Sequence, residues 1–162
     1  MDLYYRSGAL YSTQSETKRE YFYEDGTLKT VENYVEGRLN GESLLYWPNG
    51  RMKRKCRFVR GVRDGLDQMW SEEGDLLDEG EYQMGKAIGV HRRFNKKGRL
   101  VEEIEYLDET RFNLRQWDDA GEIRVEAIWF DLDSYREKIW DRFQNIWVEK
   151  EGYWNGRKLI YV

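Results

Sequence analysis

Few side chains in this sequence could carry out acid–base, nucleophilic or metal chemistry. The chain has one histidine and one cysteine, His91 and Cys56, and neither has a second ligand at a spacing typical of a zinc site. Adjacent carboxylates such as Glu72 and Glu73 would point to opposite faces of a strand, so they cannot form a working acid–base pair. We therefore predict no enzyme activity, no catalytic, cofactor-binding or metal-binding residues, and no cofactor.

Basic residues give the strongest local indication of binding. The segment from Met52 to Arg63 contains six cations and no acid, although the whole chain carries a net charge of −4. If neighbouring repeats stack, such cations form a basic patch that could hold anionic lipid or nucleic acid. The candidate partner-binding arginines are Arg54, Arg57, Arg60, Arg63, Arg92 and Arg93.

The alternative for these cations is neutralisation across the sheet. Asp75, Glu79 and Glu81 occupy the same repeat positions as Arg51, Lys55 and Arg57, so opposite charges could form ladders between neighbouring strands. Sequence alone leaves both interpretations open.

These residues belong to an internal repeat. Turn glycines follow one another at intervals of 18, 24, 24, 24 and 23 residues, from Gly8 to Gly121. An aromatic residue precedes each of them by four positions, and Leu, Met or Ile follows by two. The aromatic residues are Tyr4, Phe22, Tyr46, Trp70, Phe94 and Trp117.

The repeat predicts β-hairpins. Asn-Gly and similar pairs before a β-rich run are a strong hairpin signal, and further glycines mark the return connections. Alternation places Met52, Cys56 and Phe58 on one strand face, so we expect a buried thiol at Cys56. We predict a mainly β protein, an elongated single-layer antiparallel meander of hairpins of about 24 residues each.

The motif of an aromatic residue, a D/N-G-type turn and paired return glycines resembles the MORN repeat, in particular its bacterial variant. It reads YFYEDGTLKTVENYVEGRLNG from Tyr21, YWPNGRMKRKCRFVRGVRDG from Tyr46 and WSEEGDLLDEGEYQMGKAIG from Trp70. The fourth copy departs from the pattern, with Glu109 and Asn113 in place of the return glycines, which predicts a changed connection.

This resemblance implies a binding or scaffolding module without a catalytic motif. The function that it favours is a protein-binding module of the immunity or antitoxin type, which sequesters a toxin domain. The alternative is a MORN-type scaffold or membrane-associated adaptor that binds anionic lipid through the basic patch. Nucleic-acid binding is the least favoured partner class, and the sequence does not indicate an oligomeric state.

The segment after Asp131 leaves the repeat pattern. Ser134 and Glu137 form a capping box, and Tyr135, Ile139 and Phe143 follow at near-helical spacing, which predicts a helix of ten to fourteen residues. An Asn-Gly turn at Asn155 then predicts a final hairpin.

We therefore divide the chain into a MORN-like repeat array, residues 1–131, and a small α/β cap, residues 132–162. In this division the C-terminal aromatic residues either cover the open end of the sheet or form a docking surface for a partner. Trp140 and Trp147 are the candidate partner-binding residues of the cap.

The composition places the protein among globular chains. Aromatic residues make up 15% of the sequence, which allows a packed interior despite 36% charged residues. The first residues, MDLYYRSGALYS, lack a basic and apolar leader, and no apolar run is long enough to span a membrane. One unpaired cysteine is typical of a reducing compartment, so we expect a cytoplasmic protein.

Overall fold

The computed structural model describes residues 1–130, 132–155 and 157–162. Throughout these residues the chain forms β-strands joined by turns, with no helix. The predicted antiparallel meander of β-hairpins is therefore confirmed. The chain contains two compact units, Met1–Ala87 and Ile88–Val162.

The first unit is an open antiparallel sheet in which strands adjacent in the chain are also neighbours in space. The short strand β7 pairs with β6, and β8 continues alongside β6. The strands are β1 (Asp2–Tyr4), β2 (Leu10–Gln14), β3 (Lys18–Phe22), β4 (Leu28–Val35), β5 (Arg38–Tyr46), β6 (Met52–Val59), β7 (Val62–Arg63), β8 (Gly65–Trp70) and β9 (Leu76–Gln83).

The second unit is also an open antiparallel meander, and β10 (Lys86–Phe94) runs into it from the first. Each of its strands pairs with the next along the chain. The remaining strands are β11 (Leu100–Tyr106), β12 (Phe112–Trp117), β13 (Ile123–Trp129), β14 (Ser134–Asp141), β15 (Ile146–Trp154) and β16 (Leu159–Tyr161).

The repeated turn glycines close tight hairpin loops. The N–H of Gly50 donates to the carbonyl of Trp47 at 2.9 Å, and the N–H of Trp47 donates to the carbonyl of Arg51 at 2.8 Å. Gly50 has φ 80°, which glycine adopts without the steric cost that a Cβ imposes. The same pair of bonds recurs at Gly8, Gly26, Gly74, Gly98 and Gly121.

The return connections are two-residue turns with positive φ at both positions, the geometry of a type I′ hairpin. A non-glycine residue occupies the first position and glycine the second. The pairs are Glu36-Gly37, Arg60-Gly61 and Met84-Gly85, with φ of 49° and 74°, 50° and 87°, and 49° and 83°.

The fourth connection has changed shape, as its departure from the repeat predicted. Instead of two positive-φ residues, the side chain of Asp108 organises the turn and accepts hydrogen bonds from the N–H groups of Thr110 and Arg111 at 2.9 and 2.8 Å. These bonds and the Arg111 guanidinium lower the pKa of Asp108. Neither Glu109 nor Asn113 has positive φ.

The interior of a single-layer sheet is thin, and small residues fill it. Val31, Cys56 and Ala127 are the buried hydrophobic residues of the described chain, with 9%, 4% and 4% of their surface exposed. The repeat aromatics Trp70 and Phe94 are half-buried. The predicted burial of Cys56 is confirmed, and burial raises the pKa of its thiol.

The predicted C-terminal helix is wrong. Residues Ser134–Asp141 form strand β14, and residues 142–145 form a turn that leads into β15. Asp141 Oδ1 accepts hydrogen bonds from the N–H groups of Phe143 and Gln144, and Asn145 has φ 55°. As a strand, this segment forms hydrogen bonds with the backbone of β13, whose edge a helix would have left unpaired. This pairing outweighs the local capping-box signal.

The residues of the predicted α/β cap are therefore all-β where they are described. The predicted final hairpin is confirmed, because β16 pairs with β15 from Gly152 to Trp154. Gly156 of its predicted turn, and Asp131 at the end of the predicted repeat array, lie outside the described residues. The division into a repeat array, residues 1–131, and a cap, residues 132–162, stays a prediction.

Candidate partner-binding site

Two of the predicted binding arginines contact a buried carboxylate in the first unit. Arg54 donates from Nε and Nη2 to the two oxygens of Asp67 at 2.8 and 2.6 Å, and Arg63 Nη1 lies 3.3 Å from the same carboxylate. Asp67 is only 6% exposed. The hydrogen bond to Asp67 raises the pKa of Arg54. Because both guanidinium groups lie against this carboxylate, the two arginines neutralise a buried charge within the sheet.

The arginines of the second unit are paired as well. Arg92 Nε lies 3.0 Å from a carboxylate oxygen of Glu103, and Arg93 Nη2 lies 2.6 Å from Glu102. Glu103 also lies 3.7 Å from Arg115, which in turn contacts Glu126 at 3.1 Å. These pairs form a ladder of alternating charge across β10 to β13. They are not the pairs that the neutralisation alternative named, because Lys55 contacts Glu42 rather than Glu79.

Arg57 and Arg60 differ from the other four candidates. Neither has an ion-pair partner within the part of the chain that the structure describes. Arg57 stands opposite Glu42 in the sheet, but Glu42 contacts Lys55 at 2.7 Å. Arg60 occupies a type I′ turn beside a polar cavity of about 530 Å³, lined by Val35, Glu36, Arg38, Asn40 and Arg60.

The predicted binding tryptophans meet in the hairpin formed by β14 and β15. Trp140 and Trp147 are directly opposite each other in the antiparallel pair, and their ring centroids lie 5.5 Å apart at an angle of 67°. The guanidinium of Arg124 lies 5.3 Å from the centre of the Trp140 ring. Edge-to-face rings with a stacked arginine form a preorganised surface.

The end of this hairpin carries a group of apolar side chains, which we call the aromatic tip (Ile139, Trp140, Phe143, Ile146, Trp147 and Val148). Ile139 and Trp140 are half-buried, and the other four residues are exposed. Phe143 is 87% exposed, Ile146 48% and Trp147 41%. A cavity of about 390 Å³ lies there, and its lining residues are Ile139, Trp140, Asp141, Arg142, Phe143, Val148 and Lys150.

The exposure of Phe143 was not predicted. Its near-helical spacing from Ile139 placed it in the predicted helix, whereas the Asx turn at Asp141 places it at the exposed end of the hairpin. The D-R-F-Q-N run, with an aspartate and an asparagine that favour turns, was the signal that could have identified it.

The two residues with potential catalytic chemistry have structural surroundings. The ring of His91 packs edge-to-face on Tyr106 with centroids 4.9 Å apart, and Cys56 is a buried free thiol in the first unit. Among the described residues, no group of three His, Cys, Asp or Glu side chains could hold a metal ion. The same residues contain no helix that is long and apolar enough to cross a membrane.

Comparison with known proteins connects the repeat to a family. No curated protein sequence matches the chain significantly. Residues 16–36 match the family model of the MORN repeat variant. This segment contains the turn at Gly26, strand β4 and the first residue of the Glu36-Gly37 connection. Equivalent turns and connections recur later in the chain. The match supports a MORN repeat protein.

Proposed function

We propose that this chain is a protein-binding module that holds its partner through the aromatic tip of the β14–β15 hairpin. MORN repeats are generally modules for protein or lipid binding. The observation that carries the proposal is the exposure of Phe143, at 87%, beside the Trp140–Trp147 pair. Aromatic and arginine side chains at the centre of an interface typically supply most of the binding energy.

The more specific form of the proposal is an immunity or antitoxin-like protein that sequesters a toxin domain in the cytoplasm. The arginines near the tip support a protein partner with an acidic rim. Arg142 lies 5.0 Å from the Phe143 ring centre, and Lys150 lines the same cavity. A partner that buries the ring and pairs with these cations would gain both a desolvated centre and a favourable association rate.

The test is a comparative pull-down from the native host with the wild-type chain, Phe143→Ser and a control variant. Met84→Ser is a matched control, because Met84 is also a large exposed apolar residue, at 77%, but lies in the first unit. We expect a protein that the wild type and Met84→Ser retain and that Phe143→Ser loses. Equal recovery with all three chains would refute binding at the tip.

Once such a protein is identified, its binding is measured with purified components. Trp140→Ala and Phe143→Ala should each weaken the affinity by about 2 kcal/mol, close to thirtyfold. The antitoxin form is then tested by expressing the partner alone. Growth inhibition that the wild-type chain relieves and Trp140→Ala does not would support it, and a harmless partner would exclude it.

A membrane-associated adaptor is the second candidate function. The observation that favours it is the combination of Trp140, Phe143 and Trp147 with Arg142 and Lys150 at one end of the hairpin. Aromatic rings with nearby cations are suited to the boundary between lipid headgroups and acyl chains. The ion pairs of Arg54, Arg63, Arg92 and Arg93 argue against the basic-patch form of this function.

A further inference from the structure

Strand β15 has an open edge along its first half. It pairs with β14 from Ile146 to Tyr153, but β16 pairs with it only from Gly152 to Trp154. Between Ile146 and Lys150 no strand of the described chain lies on the side away from β14. The side chains of Ile146, Trp147 and Val148 are 48%, 41% and 37% exposed.

The direction of the backbone groups at this edge follows from two hydrogen bonds. The N–H of Trp154 donates to Asp133, on the β14 side, and the carbonyl of Glu151 accepts from Val162, on the β16 side. Backbone direction alternates along a strand, so the N–H and C=O groups of Trp147 and Glu149 point to the open edge. A row of outward N–H and C=O groups of this kind can form hydrogen bonds with the backbone of another extended strand.

We propose that a second copy of this chain occupies the edge, with the two β15 strands antiparallel about a twofold axis at Val148. In this register Trp147 of each copy faces Glu149 of the other, and both residues present outward backbone groups. Four inter-chain backbone hydrogen bonds result. Val148 faces its own counterpart as a pair without hydrogen bonds, and Ile146 faces Lys150.

The two neighbouring registers of the antiparallel pair are less favourable than the Val148 register. A shift of the axis to Glu149 would place the two Glu149 carboxylates directly opposite each other, which is destabilising. A shift to Trp147 would place Asn145 opposite Glu149, but Asn145 lies in the turn and donates its N–H to Asp141. The Val148 register opposes no like charges and uses both outward-facing residues.

The residues around the axis also favour self-pairing. On one face of the paired strands, Val148 of one copy contacts Val148 of the other. On either side of this pair, Ile146 of one copy contacts the alkyl stem of Lys150 of the other. On the other face, the two Trp147 rings are diagonal neighbours, a separation that aromatic side chains can reach. Each ring is already packed against Trp140 of its own chain, with centroids 5.5 Å apart.

This inference does not depend on the proposed partner. The dimer would form from the purified chain alone, and it would use Ile146, Trp147 and Val148 of the aromatic tip but not Phe143. Failure of dimerisation would therefore not refute partner binding at the aromatic tip.

The first experiment measures the mass of the purified protein by sedimentation equilibrium over a hundredfold range of concentration. We expect the mass to rise from 19.7 kDa towards twice that value. Glu149→Pro removes an outward N–H without touching the β14 ladder, and proline is tolerated at such edge positions. It should remain monomeric throughout the range, with an unchanged circular dichroism spectrum.

Glu149→Ala is the matched control. It removes the ion pair of Glu149 with Lys138, at 2.8 Å, as the proline variant does, but it keeps the N–H. We expect Glu149→Ala to dimerise like the wild type. A wild-type chain that stays monomeric would overturn the proposal, and so would a Glu149→Ala variant that loses dimerisation as completely as Glu149→Pro.

The second experiment tests the register by disulfide formation under mild oxidation. Opposite residues of a pair without hydrogen bonds are close enough for a disulfide, so Val148→Cys should cross-link to itself. Lys150→Cys should not, because its counterpart is displaced by four residues along the strand. The native Cys56 is only 4% exposed, so the wild-type chain under the same oxidation gives the background level of cross-linking. Equal cross-linking at both positions would overturn the Val148-centred register.

Discussion

Asp67 is the buried charged residue of the described chain. Its side chain is 9% exposed, and it holds Arg54 by two hydrogen bonds and Arg63 at 3.3 Å. The Arg63 guanidinium also lies 4.9 Å from the centre of the Tyr82 ring. One carboxylate on β8 therefore fixes two cations and, through Arg63, an aromatic ring of β9.

Replacement of Asp67 by asparagine should lower the free energy of unfolding by about 2 to 3 kcal/mol. The variant leaves the half-buried Arg54 without its charged partner, and an uncompensated charge of this kind costs more than the ion pair contributes. Urea unfolding followed by tryptophan fluorescence measures the change.

Glu42→Gln is the control for this experiment. Glu42 pairs with Lys55 at 2.7 Å, but both side chains are about half exposed, at 53% and 48%. Water screens such a pair, so the expected loss is below about 1 kcal/mol. Equal losses for Asp67→Asn and Glu42→Gln would show that the buried carboxylate has no special structural role.

The role of Arg54 could not be predicted from the sequence. Its partner, Asp67, is 13 residues away on β8. The short strand β7 lies between the two in the chain and itself pairs with β6, so alignment of the repeats does not indicate which residue of β8 faces Arg54. The sequence did identify the repeat face on which Cys56 lies, because alternation along a strand is a local property. Residue-level predictions succeeded where they needed the strand period and failed where they needed the cross-strand partner.

At the scale of the hairpin, a row of hydrogen bonds joins successive turns of the first unit. The side chain three positions before a turn glycine donates to a backbone carbonyl of the next repeat. Tyr5 donates to Phe22 at 2.9 Å, Tyr23 donates to Tyr46 at 2.9 Å, and Trp47 Nε1 donates to Trp70 at 3.0 Å. The repeat pattern indicated the aromatic residue one position earlier, and this role of Tyr5, Tyr23 and Trp47 was not predicted.

Tyr23→Phe and Trp47→Phe should each lower the free energy of unfolding by about 1 kcal/mol. Tyr23→Phe removes a hydrogen-bond donor and keeps the ring. Trp47→Phe removes the donor together with the five-membered part of the indole, so its loss is at least as large. The measurement is urea unfolding, with amide hydrogen exchange at the neighbouring turn as a local readout.

Tyr46→Phe provides the comparison, because the described residues offer no hydrogen-bond partner to the Tyr46 hydroxyl. Its expected effect is within about 0.5 kcal/mol. A loss for Tyr46→Phe as large as that for Tyr23→Phe would show that the inter-repeat hydrogen bond contributes nothing.

Hairpins were predictable as elements because their signals are short. A glycine with positive φ closes each of these turns, and its regular spacing behind an aromatic residue repeats the hairpin signal along the chain. The C-terminal helix was predicted on equally local grounds, from Ser134 and Glu137, but β14 instead pairs with β13 on one side and β15 on the other. Non-local pairing decided the structure of that segment, and the exposure of the aromatic tip follows from it.

At the scale of the whole molecule, charge is abundant but largely compensated. The chain has 27 basic and 31 acidic residues. Four of the six arginines predicted to bind a partner, Arg54, Arg63, Arg92 and Arg93, form ion pairs within the protein. An anionic ligand would have to displace acids that already occupy these guanidinium groups, so little favourable energy remains for lipid or RNA.

We therefore expect the purified chain to show no tight binding to phosphatidylserine-containing vesicles or to RNA in co-sedimentation at about 50 mM and about 200 mM salt. Binding through Arg57 and Arg60 would fall steeply between these two conditions and would disappear in a variant with both arginines replaced by glutamate. Binding of vesicles through the aromatic tip would instead change little with salt and would be lost in Phe143→Ser, because apolar burial is not screened by ions. Either pattern would contradict the expectation, and the variant that abolishes binding would identify the surface responsible. Binding of vesicles would favour the adaptor function, whereas binding of RNA alone would not.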